Sequence, residues 1–256
     1  MICVDPRPPT GGIRVDLRII MTQKKTQKKR TQSVTGATTF EGRTRRARAI
    51  ARALAKLLPD AKIALRYGSH WELVVAVVLS AQCTDKKVNE VTARLFKKYR
   101  KLDDYIATDQ HKFEQDIRET GFFRAKTKNI LAAARILKER FGGRVPCSME
   151  ELLTLPGVAR KTANVILGNA CGVIAGIAVD THVKRFAQKF DLSDSRDPKR
   201  IERDLMALLP RAEWRTITYR LIDYGRHFCP ARKHDCATHP LTKLYPRAGT
   251  IWPKAR

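Results

Sequence analysis

The sequence lacks any long hydrophobic run. Its longest apolar stretch covers only residues 73–79, far short of the ~20 residues that a membrane-spanning helix needs. The first 20 residues contain charged residues and three prolines, but no apolar stretch of the signal-peptide type. We therefore expect a protein that does not enter a membrane, is not secreted and stays in the cytoplasm.

Acidic residues are scarce relative to basic ones. The 256-residue chain has 51 Lys and Arg against 25 Asp and Glu, a formal net charge of +26. This excess is larger than solubility needs, and it favours a polyanionic partner, nucleic acid before an anionic membrane surface. A generally basic proteome or a ribosome-associated role is the alternative at this level.

Cysteines are few and scattered. The six occur at positions 3, 83, 147, 171, 229 and 236, and only the last two look like a local pair. A chain of this length buries enough apolar surface to fold without disulfides. We therefore expect reduced cysteines and a reducing compartment.

Residues 1–42 show neither helical nor strand periodicity. They include the basic block Lys24–Arg30 in polar surroundings. This composition predicts a disordered basic tail, with a nuclear or organellar address as the alternative use of the block. Met21 lies within the tail and is an alternative start to Met1. At the other end, we interpret residues 246–256 as a C-terminal tail.

From Thr44 onwards the apolar spacing is helical, with Thr44 as a candidate N-cap. The run 73–79 is β-branched and has no polar face, so propensity alone allows a strand, but its helical neighbours favour a buried helix. A capping-box pattern at Ser148 and the order Asp197 then Pro198 each predict a helix start. Because no convincing period-two pattern or internal repeat occurs, the predicted fold class is all-α.

The segment Leu155–Ala163 is a candidate for chemistry. Pro156 and Gly157 form a tight turn between two helices, and such a turn exposes unpaired N–H groups that can bind a phosphate. Lys161 lies in the first turn of the second helix, where the helix dipole disfavours the charged ammonium, as a nucleophilic amine requires. An ordinary helix connection with a solvated or phosphate-contacting lysine is the alternative.

Asp180 follows the apolar residues 177–179 and precedes a new helical period. Its carboxylate can cap that helix. Beside an amine, it can instead stabilise positive charge on a sugar ring and transfer protons. The residues alone leave both interpretations open.

Five collinear segments carry a signature. They are Leu-Ser-Ala-Gln-Cys-Thr-Asp at 79–85, Thr-Gly-Phe-Phe-Arg-Ala-Lys-Thr-Lys-Asn-Ile at 120–130, Leu-Pro-Gly-Val-Ala-Arg-Lys-Thr-Ala-Asn-Val at 155–165, Val-Asp-Thr-His at 179–182 and Tyr-Gly-Arg-His-Phe-Cys-Pro-Ala-Arg-Lys at 224–233. Together they closely resemble endonuclease III, a family of helix–hairpin–helix DNA glycosylases with AP-lyase activity. The likeness extends over about residues 44–245.

The resemblance implies two helical lobes with DNA in the cleft between them. A six-helix barrel containing the hairpin would cover residues 63–173, and the second lobe would combine residues 43–62 with residues 174–245. The implied partner is double-stranded DNA that contains a damaged base or an abasic site. The protein would bind it as a monomer, associated with the nucleoid.

The resemblance also implies roles for single residues. Lys161 would be the nucleophile and Asp180 its acidic partner. Gln82 would face the orphaned base and Phe122 would fill the vacated stack, for which core packing is the alternative. The other DNA contacts would come from Pro156, Gly157, Val158, Ala159, Arg160, Arg232 and Lys233, and the base pocket from Ser80, Asp85 and His182.

The implied function is base excision repair by a bifunctional glycosylase and AP lyase. It would remove oxidised pyrimidines through a lysine Schiff base and cut the strand by β-elimination. Adenine-excising relatives carry a glutamate in the loop that here reads Ala81-Gln82, and they lack the lysine at position 161. The alternatives are a glycosylase for mismatched thymine or uracil, an enzyme that is mainly an AP lyase, and, from another class, a non-catalytic DNA-binding helix–hairpin–helix protein.

The chain departs from the family at its metal loop. Most relatives end in C-x6-C-x2-C-x5-C, which holds a [4Fe–4S] cluster, whereas these positions are here Cys229, Cys236, His239 and Tyr245. Two thiolates are too few for an ordinary cubane, so we predict neither a cluster nor another cofactor. Zinc held with a fourth ligand such as His234 is the less favoured alternative, because the spacing belongs to another metal's loop.

A second departure is Ala159, where the family has glycine. If this position needs a positive φ or a very close phosphate, alanine costs about 1 kcal/mol or more. The consequence would be weaker DNA binding rather than altered chemistry.

Overall fold

The computed structural model describes residues 39–232 and 234–250, and the secondary structure of this part of the chain is entirely helical. The all-α prediction is therefore confirmed. Among the described residues no helix combines the length and the hydrophobicity needed to cross a membrane. The α-helices are α1 (Phe40–Leu57), α2 (His70–Leu79), α3 (Asp85–Lys98), α4 (Leu102–Ala107), α5 (Gln110–Ile117), α6 (Phe123–Phe141), α7 (Met149–Leu152), α8 (Arg160–Ala170), α9 (Thr181–Lys189), α10 (Pro198–Leu208) and α11 (Trp214–His227). Short 3₁₀ turns cover Arg118–Thr120, Arg211–Glu213 and Pro246–Gly249.

Helix α1 begins earlier than its sequence pattern predicts. Its N-cap is Thr39, whose hydroxyl accepts a hydrogen bond from the Gly42 amide at 3.2 Å. Thr44, the predicted cap, instead donates its hydroxyl to the Phe40 carbonyl inside the helix. The predicted disordered tail is thus wrong at its C-terminal end, and residues 1–38 lie outside the described residues.

The predicted C-terminal tail is also partly folded. Residues Pro246–Gly249 form a 3₁₀ turn, and the Ala248 side chain is fully buried in the core. Apolar contact therefore holds this segment against the protein, although its sequence shows no helical period. Residues 251–256 lie outside the described part of the chain.

Helix α2 contains the ambiguous apolar run 73–79. Every residue of the run is buried, so the helix has no polar face to distinguish it from a strand by pattern. Ser69 caps the helix by accepting from the Glu72 amide. The predicted buried helix is confirmed, as are the N-caps Ser148 of α7 and Asp197 of α10.

The buried side chains form separate cores. One core joins α1 to the chain after residue 177, with Leu54, Phe186 and Ile201 among its members. Helices α2 to α8 supply two other clusters of buried side chains. The helix that carries Lys161 is therefore built on a different core from the helix that Asp180 caps.

A buried carboxylate joins α10, which belongs to the first core, to α8, which belongs to the other two clusters. The Glu202 side chain on α10 accepts from Arg160 Nε at 2.6 Å and from Asn164 Nδ2 at 2.7 Å, and both donors belong to α8. Gly176 leaves the space for this contact. A Cβ at Gly176 would collide with Oε1 of Glu202 and lie 3.0 Å from the Asn164 amide.

Cys147 and Cys171 form a disulfide, with their Cα atoms 5.7 Å apart. The expectation that the cysteines are reduced is therefore wrong for this pair. The two residues are 24 positions apart in sequence. They meet because one precedes α7 and the other ends α8, so the bend of the hairpin brings its two outer ends together, which the sequence spacing does not reveal.

Replacing Gly176 by alanine should lower the free energy of unfolding by about 2 kcal/mol, since the added methyl group overpacks a buried contact. Urea denaturation measures the change. In a Glu202→Ala background the penalty of Gly176→Ala should shrink, because the carboxylate that the methyl group meets is gone. An equal penalty in both backgrounds would contradict this account of the joint.

Candidate active site

The hairpin turn between α7 and α8 is anchored by apolar side chains and shaped by one glycine. Leu155 and Val158 are buried on either side of the turn. Gly157 has φ +81°, and a Cβ there would lie 3.1 Å from Cβ of Asn129 on α6. Both the torsion and the space at this position therefore require glycine.

Ala159 precedes α8 in an extended conformation, with φ −92° and ψ 171°. The strain considered for a positive φ at this position does not arise, because the positive φ of the turn falls on Gly157 instead. Alanine has no side-chain oxygen with which to cap α8. The amide groups of the first turn are thus left for another acceptor, such as a phosphate oxygen.

Lys161 lies in the first turn of α8, and its side chain is exposed. Within the described residues its amine has neither a hydrogen bond nor an ion pair. The adjacent Arg160 is instead bound to Glu202, with 40% of its side chain exposed. Lys161 therefore has no partner among the described residues, whereas Arg160 is already engaged through its Nε.

Asp180 is held at the boundary between the cores. The three residues before it alternate in direction, since Ile177 and Val179 enter one core while Ala178 enters another. Asn164 donates to the Ile177 carbonyl at 3.4 Å, and Asn164 lies one turn after Lys161. The segment that leads to Asp180 therefore lies against the helix that carries the lysine.

The Asp180 carboxylate caps α9. Its Oδ1 accepts from the Val183 amide at 2.8 Å. The capping interpretation is therefore correct as a description of the contact. It does not compete with a chemical role, because an N-cap carboxylate uses one oxygen for the cap and remains an acceptor at the other.

His182 lies two residues further on, against Gly225 of α11. A Cβ at Gly225 would collide with the imidazole and lie 2.7 Å from the Arg185 guanidinium. Burial lowers the pKa of His182, with the charge of Asp180 opposing this shift and those of Arg185 and Arg226 adding to it. His182 is therefore neutral at neutral pH, and its Nδ1 is buried without a partner among the described residues.

Gln82 and Phe122 lie at the tips of two loops and share an unusual backbone. Both have a positive φ, +52° and +47°, which is uncommon for residues other than glycine and is often found at functional sites. Phe122 is 66% exposed, whereas the adjacent Phe123 packs partly into a core. Core packing, the alternative for Phe122, is therefore wrong.

A buried lysine connects these two loops. Lys126 is 4% exposed, and its ammonium donates to the Leu79 carbonyl at 2.8 Å and to the Thr120 carbonyl at 2.7 Å. The first carbonyl precedes the loop of Gln82, and the second precedes Gly121 and Phe122. The sequence analysis missed this role, because nothing in local spacing distinguishes Lys126 from the exposed Lys128 beside it.

The three predicted base-pocket residues have different contacts. Ser80 is the C-cap of α2, and its hydroxyl donates to the Val77 carbonyl at 2.8 Å. Asp85 forms an ion pair of 2.7 Å with Arg226 of α11, and the charge of Arg226 also acts on His182. The structure therefore relates Asp85 to His182 through Arg226, a residue that the sequence analysis did not single out although it lies within the 224–233 segment.

The loop after α11 holds the positions predicted to have lost a metal cluster. Cys229 and Cys236 are buried, with their sulfur atoms 3.9 Å apart. His234 and His239 lie beside them, and one donor atom from each of the four residues lies within 4.8 Å of the others. Tyr245 is occupied elsewhere, since the Arg46 guanidinium stacks on its ring at 4.3 Å.

Of the remaining two predicted DNA contacts, Arg232 is exposed on this loop. Lys233 lies outside the described residues. Of these two predicted contacts, the structure therefore describes only Arg232, which lies at the surface of the loop.

Comparisons with known proteins agree on one family. The model of the HhH-GPD superfamily base excision DNA repair protein matches residues 75–211. Endonuclease III of Synechocystis is 50% identical over 195 residues, which cover 76% of this chain and 89% of the relative. Endonuclease III of Bacillus subtilis is 44% identical over 189 residues, covering 73% and 86%.

Solved structures extend the similarity to the fold. A non-covalent endonuclease III–DNA complex has a TM-score of 0.77 and 42% identity, covering 81% of this chain and 97% of that chain. A trapped covalent endonuclease III–DNA intermediate has a TM-score of 0.76 and 41% identity, with the same coverage. The helix–hairpin–helix fold described above is thus similar to that of proteins seen bound to DNA.

Replacing Lys126 by methionine should free both loops, because two buried carbonyl groups would lose their donor. We expect a loss of stability of about 2 kcal/mol or more and faster amide hydrogen exchange at residues 80–84 and 120–123. Lys128→Met, at the exposed neighbouring position, is the control and should change neither. Unchanged exchange in Lys126→Met would show that the ammonium does not hold the loops.

Proposed function

The chain belongs to the HhH-GPD superfamily of base excision DNA repair proteins as an endonuclease III homologue, and we propose that its chemistry is carried out by Lys161 and Asp180. The protein is a DNA glycosylase and AP lyase that binds damaged double-stranded DNA. The assignment of the two residues rests on one observation above all. An exposed lysine without a partner among the described residues lies at the N-terminus of α8, beside the segment that ends in Asp180.

The proposed reaction starts with a base rotated out of the duplex, which costs a few kcal/mol and less for a poorly stacked lesion. The neutral Lys161 amine attacks the sugar C1′ as the C1′–N bond to the base breaks. The C1′–O4′ bond of the adduct then breaks and a proton passes to O4′, so that the sugar ring opens and a protonated imine forms between C1′ and the lysine nitrogen. Loss of a C2′ proton then expels the 3′ phosphate oxygen, so that the strand is cut on the 3′ side of the lesion.

Asp180 supports this sequence by electrostatics and proton transfer. Positive charge develops on the sugar as the base leaves, and a nearby carboxylate stabilises it. The Oδ1 contact with the Val183 amide fixes the carboxylate while leaving acceptor capacity at Oδ2. The helix cap therefore orients the Asp180 carboxylate for its proposed role.

Gln82 and Phe122 are proposed to replace the base that has left the stack. Phe122 combines an exposed aromatic ring with a strained backbone of the kind found at functional sites, and a gap between stacked bases would bury the ring. Gln82 offers amide donors and acceptors to the orphaned base. The contacts of Lys126 support this pairing, because they connect both loops to a single ammonium.

The DNA path follows from the same elements. We propose that Pro156, Gly157, Val158 and Ala159 approach the phosphate backbone through the open end of α8, with Arg160 and Arg232 adding positive charge. Ser80, Asp85 and His182 would line the base pocket. The separate cores support the proposed lobes at residues 63–173 and at 43–62 with 174–245, with DNA in the cleft between them.

The proposed substrates are oxidised pyrimidines. Ala81 and Gln82 replace the glutamate loop of adenine-excising relatives, and Lys161 supplies the lyase step. We further propose that the enzyme acts as a monomer in the cytoplasm, at the nucleoid.

A [4Fe–4S] cluster does not fit this chain. A cubane is held by four thiolates, whereas the loop provides two, and the fourth family position is the ring of Tyr245 stacked with Arg46. The donor atoms also lie within 4.8 Å of one another, too close together to surround a cluster of several iron atoms. We therefore propose that the cluster of the family is absent.

Borohydride trapping tests the nucleophile. A duplex with thymine glycol or an abasic site should give a covalent adduct with the wild type and none with Lys161→Ala. Lys199→Ala is a matched control, because Lys199 is also exposed and is the second residue of its helix, α10. Adducts that persist in Lys161→Ala would refute the assignment.

The choice of duplex separates the substrate classes in the same assay. Trapping on thymine glycol supports oxidised pyrimidines. Trapping only on G·T or G·U mismatches, or only on abasic sites, would replace that proposal by a mismatch glycosylase or by an enzyme that is mainly an AP lyase.

Replacing Asp180 by asparagine should slow base excision by roughly 100-fold or more, while DNA binding and thermal stability change little, because the amide oxygen preserves the cap. Single-turnover excision, fluorescence anisotropy and thermal melting measure the three quantities. Asp197→Asn makes the same change at the N-cap of α10 and should leave excision intact. Equal loss of binding and excision in Asp180→Asn would indicate a structural cap alone.

A further inference from the structure

We propose that Cys229, His234, Cys236 and His239 bind a single zinc ion in a closed tetrahedral site. This ligand set differs from that of the family cluster, since His234 lies outside the C-x6-C-x2-C-x5-C register. The zinc ion would be structural, with all four ligands from the protein. The proposal does not depend on the catalytic roles of Lys161 and Asp180.

The separations of the donor atoms match one small ion. Zinc binds sulfur at ~2.3 Å and nitrogen at ~2.0–2.1 Å, so tetrahedral donors are roughly 3.3–3.8 Å apart. The two sulfur atoms are 3.9 Å apart, and Cys236 Sγ is 3.0 Å from His234 Nε2. The whole set lies within 4.8 Å. Small side-chain rotations are sufficient to bring all four donors onto one ion.

The orientation of His234 is fixed in the way that metal ligands usually are. Its Nδ1 lies 2.7 Å from the Arg232 carbonyl, which can only accept a hydrogen bond. Nδ1 is therefore the protonated nitrogen, and Nε2 directs its lone pair towards Cys236. A histidine that donates to a backbone carbonyl through one nitrogen and faces a metal with the other is a recurrent arrangement in zinc sites.

Burial supplies an independent observation. The Nδ1 atom of His239 is buried and has no hydrogen-bond partner in the described part of the chain. A buried nitrogen without a partner costs about 1–3 kcal/mol and calls for an unseen partner such as an ion. The two cysteines beside it are 0% and 2% exposed, so the sulfur donors lie in the interior, with the half-buried His234 and His239 next to them.

The surroundings connect the site to the helix that Asp180 caps. On α9, Lys189 donates to Cys236 Sγ at 3.1 Å and Arg185 donates to the Cys229 carbonyl at 2.7 Å. A bound ion would therefore stiffen the loop that carries Arg232 and fasten it to α9. Zinc in this position replaces, with one ion and two imidazoles, the bracing that a cluster gives to the family loop.

The metal content of the full-length protein, purified after growth with zinc, tests the proposal. Elemental analysis should give about one zinc per chain, and X-ray absorption on the same sample should show two sulfur and two nitrogen neighbours. The absorption measurement needs no variant. About four irons per chain, or no stoichiometric zinc, would overturn the proposal.

Single substitutions identify the ligands. His234→Ala and Cys236→Ala should each lose most of the zinc, whereas His227→Ala and Cys83→Ala, outside the set, should retain it. Cobalt substituted into the wild type should give the absorption of a tetrahedral, thiolate-bound ion, and His234→Ala should weaken it. Full zinc retention in His234→Ala with an unchanged cobalt spectrum would exclude this four-residue site.

Discussion

The buried carboxylate of Glu202 is the contact on which the arrangement of the proposed catalytic residues, Lys161 and Asp180, depends. It accepts hydrogen bonds from two residues of α8 while belonging to α10, and so it fastens the hairpin helix to the opposite core. A buried charge is tolerated only where its hydrogen bonds are satisfied. Since Gly176 provides the space, the chain between α8 and α9 must pass close by on its way to Asp180.

This contact explains how Lys161 and Asp180 can be held in a fixed arrangement although their helices, α8 and α9, pack on different cores. Ile177, Ala178 and Val179 bury alternately to either side, so the extended segment cannot slide without exposing an apolar side chain. The cap on α9 then sets the direction of the Asp180 carboxylate. The position of the segment that leads to Asp180 is thus maintained by burial, and in the described part of the chain no hydrogen bond or ion pair joins Lys161 to Asp180.

Sequence patterns predicted the structural features that depend on residues close together along the chain. Apolar periodicity and caps such as Ser148 predicted the helices, and the pair Pro156-Gly157 predicted the tight turn between α7 and α8. The N-terminus of α1 was placed too late, at Thr44 instead of Thr39, because only the folded chain shows which hydroxyl accepts from a free amide at the start of the helix. Lys126, Glu202 and the Cys147–Cys171 bridge escaped prediction, since each acts across a distance in sequence that no local period encodes.

The exposed ring of Phe122 has a consequence for the thermodynamics of recognition. Contacts between basic residues and phosphates weaken steeply as salt rises, because they release counterions. Burial of an apolar ring between bases is insensitive to salt and carries a negative heat-capacity change instead. In its proposed role as the wedge, Phe122 would add to the affinity for a lesion a contribution that salt does not weaken, whereas undamaged DNA would be held through charge alone. Where both complexes make the same phosphate contacts, rising ionic strength would lower both affinities by the same factor, so the share of the lesion preference that the ring supplies would remain at high salt.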